Sequence, residues 1–171
     1  MPVEMAVERV VGEPHASHRV VVLRERAGAR YLPIAVGAAQ AEAIARPLVS
    51  GTAQRPLTHD LICELVAALG GRIAHALVHG LRHQSFCACL VIDLGGGRVA
   101  VDCRASDAIA VAVRVPAPIL VAESVLEQAG VDLEQRRQEA GPREAPIRPE
   151  QLAAFRDLID QLDLDDLGGK D

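Results

Sequence analysis

Twice along the chain, three runs rich in β-branched residues are followed by one run with helical spacing, and this doubled order restricts the fold more than any other feature. In the first half the strand runs are residues 3–11, 19–25 and 30–36, the last two joined through a glycine turn as a hairpin and the third ended by Gly37. Residues 38–48 then place Ala41, Ile44, Ala45 and Leu48 on one helical face, with Pro47 marking the end. In the second half, runs at 73–82, 85–94 and, after Gly95-Gly96-Gly97, 98–103 lead into a helix capped by Ser106 and ending before Pro116. A short strand over 118–121 and a short helix over 123–129, closed by Gly130, complete this region. The halves share little sequence beyond Ala43-Ile44-Ala45 against Ala108-Ile109-Ala110, so the pseudo-repeat rests on element order. Strand groups with interspersed helices define an α+β chain.

Between the halves stands Arg55-Pro56-Leu57-Thr58-His59-Asp60-Leu61. Pro56 fixes its own φ and disfavours helix at Arg55, so the chain enters extended, and Thr58 is placed to cap a helix whose first turn holds His59 and Asp60. Leu61, Ile62, Leu65, Val66 and Leu69 give that helix one buried stripe, and Gly70-Gly71 stops it. A helix start carries unpaired N–H groups and a partial positive charge, so with Arg55 beside it this end suits a phosphate or carboxylate. The same residues also read as ordinary capping, and the stretch alone does not separate the two. A second junction, Arg104-Ala105-Ser106-Asp107, repeats the chemistry of arginine, hydroxyl cap and first-turn aspartate. Facing each other, the two ends would bring Asp60 and Asp107 within metal-bridging reach, about 4–6 Å, between two arginines.

Composition narrows the function classes. Aromatics make up 2% of the 171 residues and there is no Trp, so the core is built from Val, Leu, Ile and Ala, and stacking of bases on aromatic platforms has almost no material. A net charge of −5 gives no global attraction to polyanions and leaves any nucleic-acid contact to a local basic patch. The N-terminal residues lack a basic-then-apolar secretory layout and no apolar run has transmembrane length, so a soluble, cytoplasmic protein without membrane contact is expected. In that compartment the four cysteines read as thiols. Cys87, Cys89 and Cys103 would cluster if the triple-glycine turn paired Leu94 with Arg98, but without a fourth ligand they read as small buried hydrophobes rather than a zinc site. His75, His79 and His83 lie four apart on an extended run, about 13 Å per step, too far for chelation.

Leu32-Pro33-Ile34 with Gly37, then Arg55 to Leu61, Leu69-Gly70, Phe86, Ala88, and Asp102-x-Arg104-x-Ser106-Asp107-Ala108-Ile109-Ala110 with Pro118-Ile119 follow one another as in the bifunctional nuclease family of bacteria and plants. The chain resembles a member of that family over about its first 130 residues. The resemblance implies a mixed, strongly curved β-sheet flanked by helices, hydrolysis of both RNA and DNA, and a variable C-terminal extension. Two positions depart from the family pattern: Gln40 stands where glutamate is usual, and Ala105 where proline is usual. Chemistry assigns the roles. Asp60 and Asp107 would hold a divalent cation such as Mg²⁺, His59 would assist proton transfer, and Arg55, Arg104, Thr58 and Ser106 would bind phosphate. The alternative is a non-catalytic homo-oligomeric module that binds an anionic ligand or a protein partner through the same helix ends.

From residue 131 to 149 the composition turns to Glu, Gln, Arg and Pro, the signature of a flexible linker after a domain spanning 1–130. Residues 150–171 resume a pattern, with Leu152, Phe155, Ile159 and Leu162 on one stripe of a short helix that must dock to be ordered, on its own domain or across a homo-oligomer interface.

Overall fold

The computed structural model describes residues 1–12, 18–49 and 55–132. The connection expected at 13–17, the loop at 50–54, the linker beyond 132 and the helix expected over 150–162 lie outside them. Strands β1 (Pro2–Val11), β2 (His18–Glu25) and β3 (Arg30–Gly37) form an antiparallel meander. Across β2 and β3, Leu23 faces Leu32 and Val21 faces Ile34, and all four are buried; alternation puts this apolar set on one face of the hairpin. Helix α1 (Ala38–Val49) follows Gly37 directly. After α2 (Thr58–Ala68) comes a second antiparallel meander, β4 (Arg72–Arg82), β5 (Ser85–Leu94) and β6 (Gly97–Arg104), and α3 (Ala105–Ala112) again follows its strand directly. Strand β7 (Ile119–Ala122), helix α4 (Glu123–Ala129) and the two-residue β8 (Val131–Asp132) end the described chain.

All strands join one eight-stranded mixed sheet in the order β6-β5-β4-β7-β1-β2-β3-β8. The two meanders therefore flank β7, which runs antiparallel to β1 and parallel to β4. The doubled order expected from the sequence is present in the topology. Val131 and Asp132, placed by composition in the linker, instead pair with Tyr31 and Arg30. Strong curvature follows from one observation: the end of β3 and the ends of β5 and β6, far apart in the sheet order, line one cavity.

Helix α3 is the buried centre of the fold. All its residues except Asp107 are buried, and four of the eight are alanine, which lets the neighbouring elements approach closely. Helix α2 has no fully buried residue. Ile62, Cys63 and Val66 pack against the core, whereas Leu57, Leu61, Leu65 and Leu69 form an exposed row, so the single buried stripe expected there is really one packed stripe beside one unpacked one. Its end matches expectation: Gly70 adopts φ +74°, Gly70 N–H donates to Ala67 O and Gly71 N–H to Val66 O, the paired bonds of a glycine-terminated helix.

The β5–β6 turn pairs Leu94 with Gly97 rather than with Arg98. That one-residue difference places Cys103 opposite Ala88 and Cys89 opposite Asp102, which removes the thiol cluster expected from the other register. Burial pushes the Cys103 thiol up to about 11, so it is protonated at neutral pH and serves as a small core residue.

Candidate active site

The starts of α2 and α3 meet. His59 Nε2 lies 3.4 Å from Asp107 Oδ1, both side chains partly buried. Arg104, at the cap position of α3, grips the same carboxylate, Nε to Oδ2 at 2.7 Å and Nη2 to Oδ1 at 3.1 Å. Burial opposes ionisation of Asp107, but Arg104 and His59 outweigh it and hold the carboxyl below its ordinary range. A carboxylate on one imidazole nitrogen orients the ring and leaves the other nitrogen for a substrate.

Asp60 points elsewhere. Its Oδ2 accepts from Leu57 N–H at 2.8 Å, and its Oδ1 takes Arg114 Nε at 2.6 Å. That backbone bond, reinforced by Arg114, lowers its pKa against the effect of burial. Leu57 occupies the cap position expected for Thr58, whose exposed side chain sits one residue inside α2. The cap is made in reverse, by the third helical residue reaching back to the amide before the helix. Ser106 is likewise displaced from its expected cap position, because α3 starts at Ala105 and its cap position belongs to Arg104. Arg55 is exposed, precedes α2, and forms no ion pair or side-chain hydrogen bond with a described residue.

The residue that sequence reasoning missed is Arg114. With a side chain only 6% exposed, it pairs with Asp60 of α2 and sends Nη1 to Ala43 O of α1 at 2.8 Å and to Ala110 O of α3 at 2.6 Å. Both carbonyls need it. Pro47 lies inside α1 and has no N–H to offer Ala43 four residues earlier, and Arg114 N–H bonds Val111 O, leaving Ala110 O without that backbone donor. The signal was present in the spacing from Ala43 to Pro47, but only the fold identifies the replacement donor.

The two carboxylates expected to hold Mg²⁺ are both engaged by protein donors. Every oxygen of Asp60 and Asp107 already accepts from an arginine, His59 or a backbone N–H, so a cation there would compete with these donors. Among the described residues no group of three His, Cys, Asp or Glu is placed to hold a metal ion.

Beside Arg104 opens a cavity of about 250 Å³, lined by Gly37 and Gln40 at the start of α1, Arg104 and Ser106 at the start of α3, and Phe86 and Gln84 of the β4–β5 hairpin among others. His83 and Gln84 form that hairpin's turn with φ of +46° and +64°, the left-handed conformation a two-residue hairpin turn demands, at some strain for residues other than glycine.

The fold and the paired helix starts thus define an α+β protein with a polar, arginine-bearing site at two strand-to-helix junctions. The bifunctional nuclease domain matches residues 21–134, and the chain belongs to that family. It is also similar to uncharacterized proteins of Mycobacterium tuberculosis strains CDC 1551 and H37Rv, each 38% identical over 165 residues, covering 95% of this chain and 98% of the relative. Among the described residues, no helix is long and apolar enough to cross a membrane.

Proposed function

We propose that the chain hydrolyses phosphodiester bonds in RNA and DNA, with His59 as the proton-transfer group and Asp107 as the residue that orients it. Family membership supports the reaction class, and the His59–Asp107 contact between the starts of α2 and α3 carries the assignment of roles. His59 takes the proton from the attacking water, or from a ribose 2′-hydroxyl in RNA, as its oxygen bonds to phosphorus. The bond from phosphorus to the leaving oxygen breaks, and solvent protonates that oxygen. Arg55 and the free Nη1 of Arg104 offset the phosphate charge, Thr58 stands where it can donate to a bound phosphate, and Asp60 acts through position by holding the start of α2. No step is routed through a metal, and the expected use of Mg²⁺ is decided by chelation.

Purified wild type, His59→Ala and Asp107→Asn are to be incubated with labelled RNA and single-stranded DNA, in Mg²⁺ and in EDTA. Loss of an acid–base group reduces the rate about 10²- to 10⁴-fold, so both variants should fall by at least the lower figure. Equal cleavage by wild type and His59→Ala would identify the activity as contamination. The exposed leucine row on α2 favours a second reading, a homo-oligomer of this chain joined through that face.

A further inference from the structure

We infer that the cavity between the starts of α1 and α3 binds the terminal phosphate of a nucleotide, a phosphate monoester rather than the internal diester of a chain. Two helices of at least eight residues begin on it: Gly37 precedes α1 and Gln40 lies in its first turn, while Arg104 precedes α3 and Ser106 is its second residue. Each start presents unpaired amides and about half a positive charge. An independent observation points to a ligand. Ser106 is 8% exposed, has no side-chain hydrogen bond with any described residue, and lines this cavity. Its hydroxyl opens onto the cavity rather than being sealed in the core, so it can donate to a ligand seated there.

The charge selects the ligand. Among the described residues no carboxylate lines the cavity, and Gln40 supplies a neutral amide, folded so closely on Gly37 that a Cβ added there would lie 2.5 Å from its Oε1. Arg104 spends Nε and Nη2 on Asp107 and keeps Nη1. A monoester, with close to two negative charges at neutral pH, gains more from two helix starts and a guanidinium than a singly charged diester does. Phe86 adds an apolar wall beside the polar groups, and about 250 Å³ leaves room for more than the phosphate alone. The choice of a nucleotide rests on the phosphodiesterase reading, whose products end in such groups; binding itself requires no cleavage.

The test is calorimetric titration of the full-length protein carrying His59→Ala, in EDTA, with adenosine monophosphate, inorganic phosphate and adenosine. Adenosine monophosphate should bind tightest, inorganic phosphate more weakly, and adenosine not measurably. Gln40→Glu places a negative charge in the cavity at a half-exposed position and should weaken adenosine monophosphate at least tenfold with an unchanged melting temperature. Ser106→Ala should weaken it severalfold. Equal binding of adenosine and adenosine monophosphate, or undiminished binding in Gln40→Glu, overturns the inference. So does the absence of binding at millimolar concentration. Wild-type protein that binds adenosine monophosphate but cleaves nothing removes the nuclease reading and keeps the site; protein that cleaves but does not bind does the reverse.

Discussion

Pro47 leaves the carbonyl of Ala43 without its helical donor, and a guanidinium from the end of another helix takes the vacancy. Removing that guanidinium leaves two carbonyls and one oxygen of Asp60 without their donor, so Arg114→Met should lower unfolding free energy by about 2–4 kcal/mol in urea titrations. Pro47→Ala restores an N–H to Ala43, and it should recover about 1 kcal/mol more in the Arg114→Met background than in wild type. No difference between the two backgrounds would show that Arg114 does not serve as the substitute donor. Acid should act through the same residues. Asp60, bonded by Leu57 N–H and Arg114, and Asp107, held by Arg104 and His59 against burial, both lie below the ordinary carboxyl value. A depressed acid contributes its full stability above the unfolded value of about 3.9 and loses it as pH falls through the lower folded value. Thermal melts should therefore decline as pH falls below about 5. Asp60→Asn should melt lower at pH 7 but decline less.

At the level of elements, helix existence was legible and helix environment was not. Residues 58–68 carry two apolar stripes, and spacing alone does not say that Ile62, Cys63 and Val66 face the core while Leu61 and Leu65 do not. The Arg55-to-Leu61 stretch carries explicit helix-start signals. The buried α3 gave a weaker signal, since its apolar residues lie all round it rather than on one stripe and Asp107 interrupts them. The caps were misplaced by one residue at both helices, because arginine and leucine are not recognisable cap residues and the compensating bonds come from inside the helix or from elsewhere. The stripe assignment has a direct check. Ile62→Ala should cost about 2 kcal/mol or more, whereas Leu61→Gln with Leu65→Gln should change monomer stability by less than about 0.5 kcal/mol per site. Sedimentation of that double variant also decides the oligomer reading: a wild-type oligomer that falls to monomer supports it, and an unchanged sedimentation coefficient excludes the α2 face.

For the whole molecule, the order of elements read from β-branched runs and glycine punctuation matches the two meanders around β7, and the resemblance over the first 130 residues matches the family domain. The two helix starts were legible as neighbours in kind, but neither Arg114 nor the pairings were, because a sequence shows neither which first-turn residue turns inward nor how far a sheet curls. His59 rather than Asp60 meets Asp107, and Gln40 and Phe86 reach Arg104 only through the curl of the sheet. That curl also has a kinetic meaning. Gly37 and Arg104 belong to different meanders and are distant in the chain, so the space between them forms only once a long loop has been closed. A ligand seated there bridges the two meanders and binds only the folded protein, so it should slow unfolding, which unfolding rates with and without it would show.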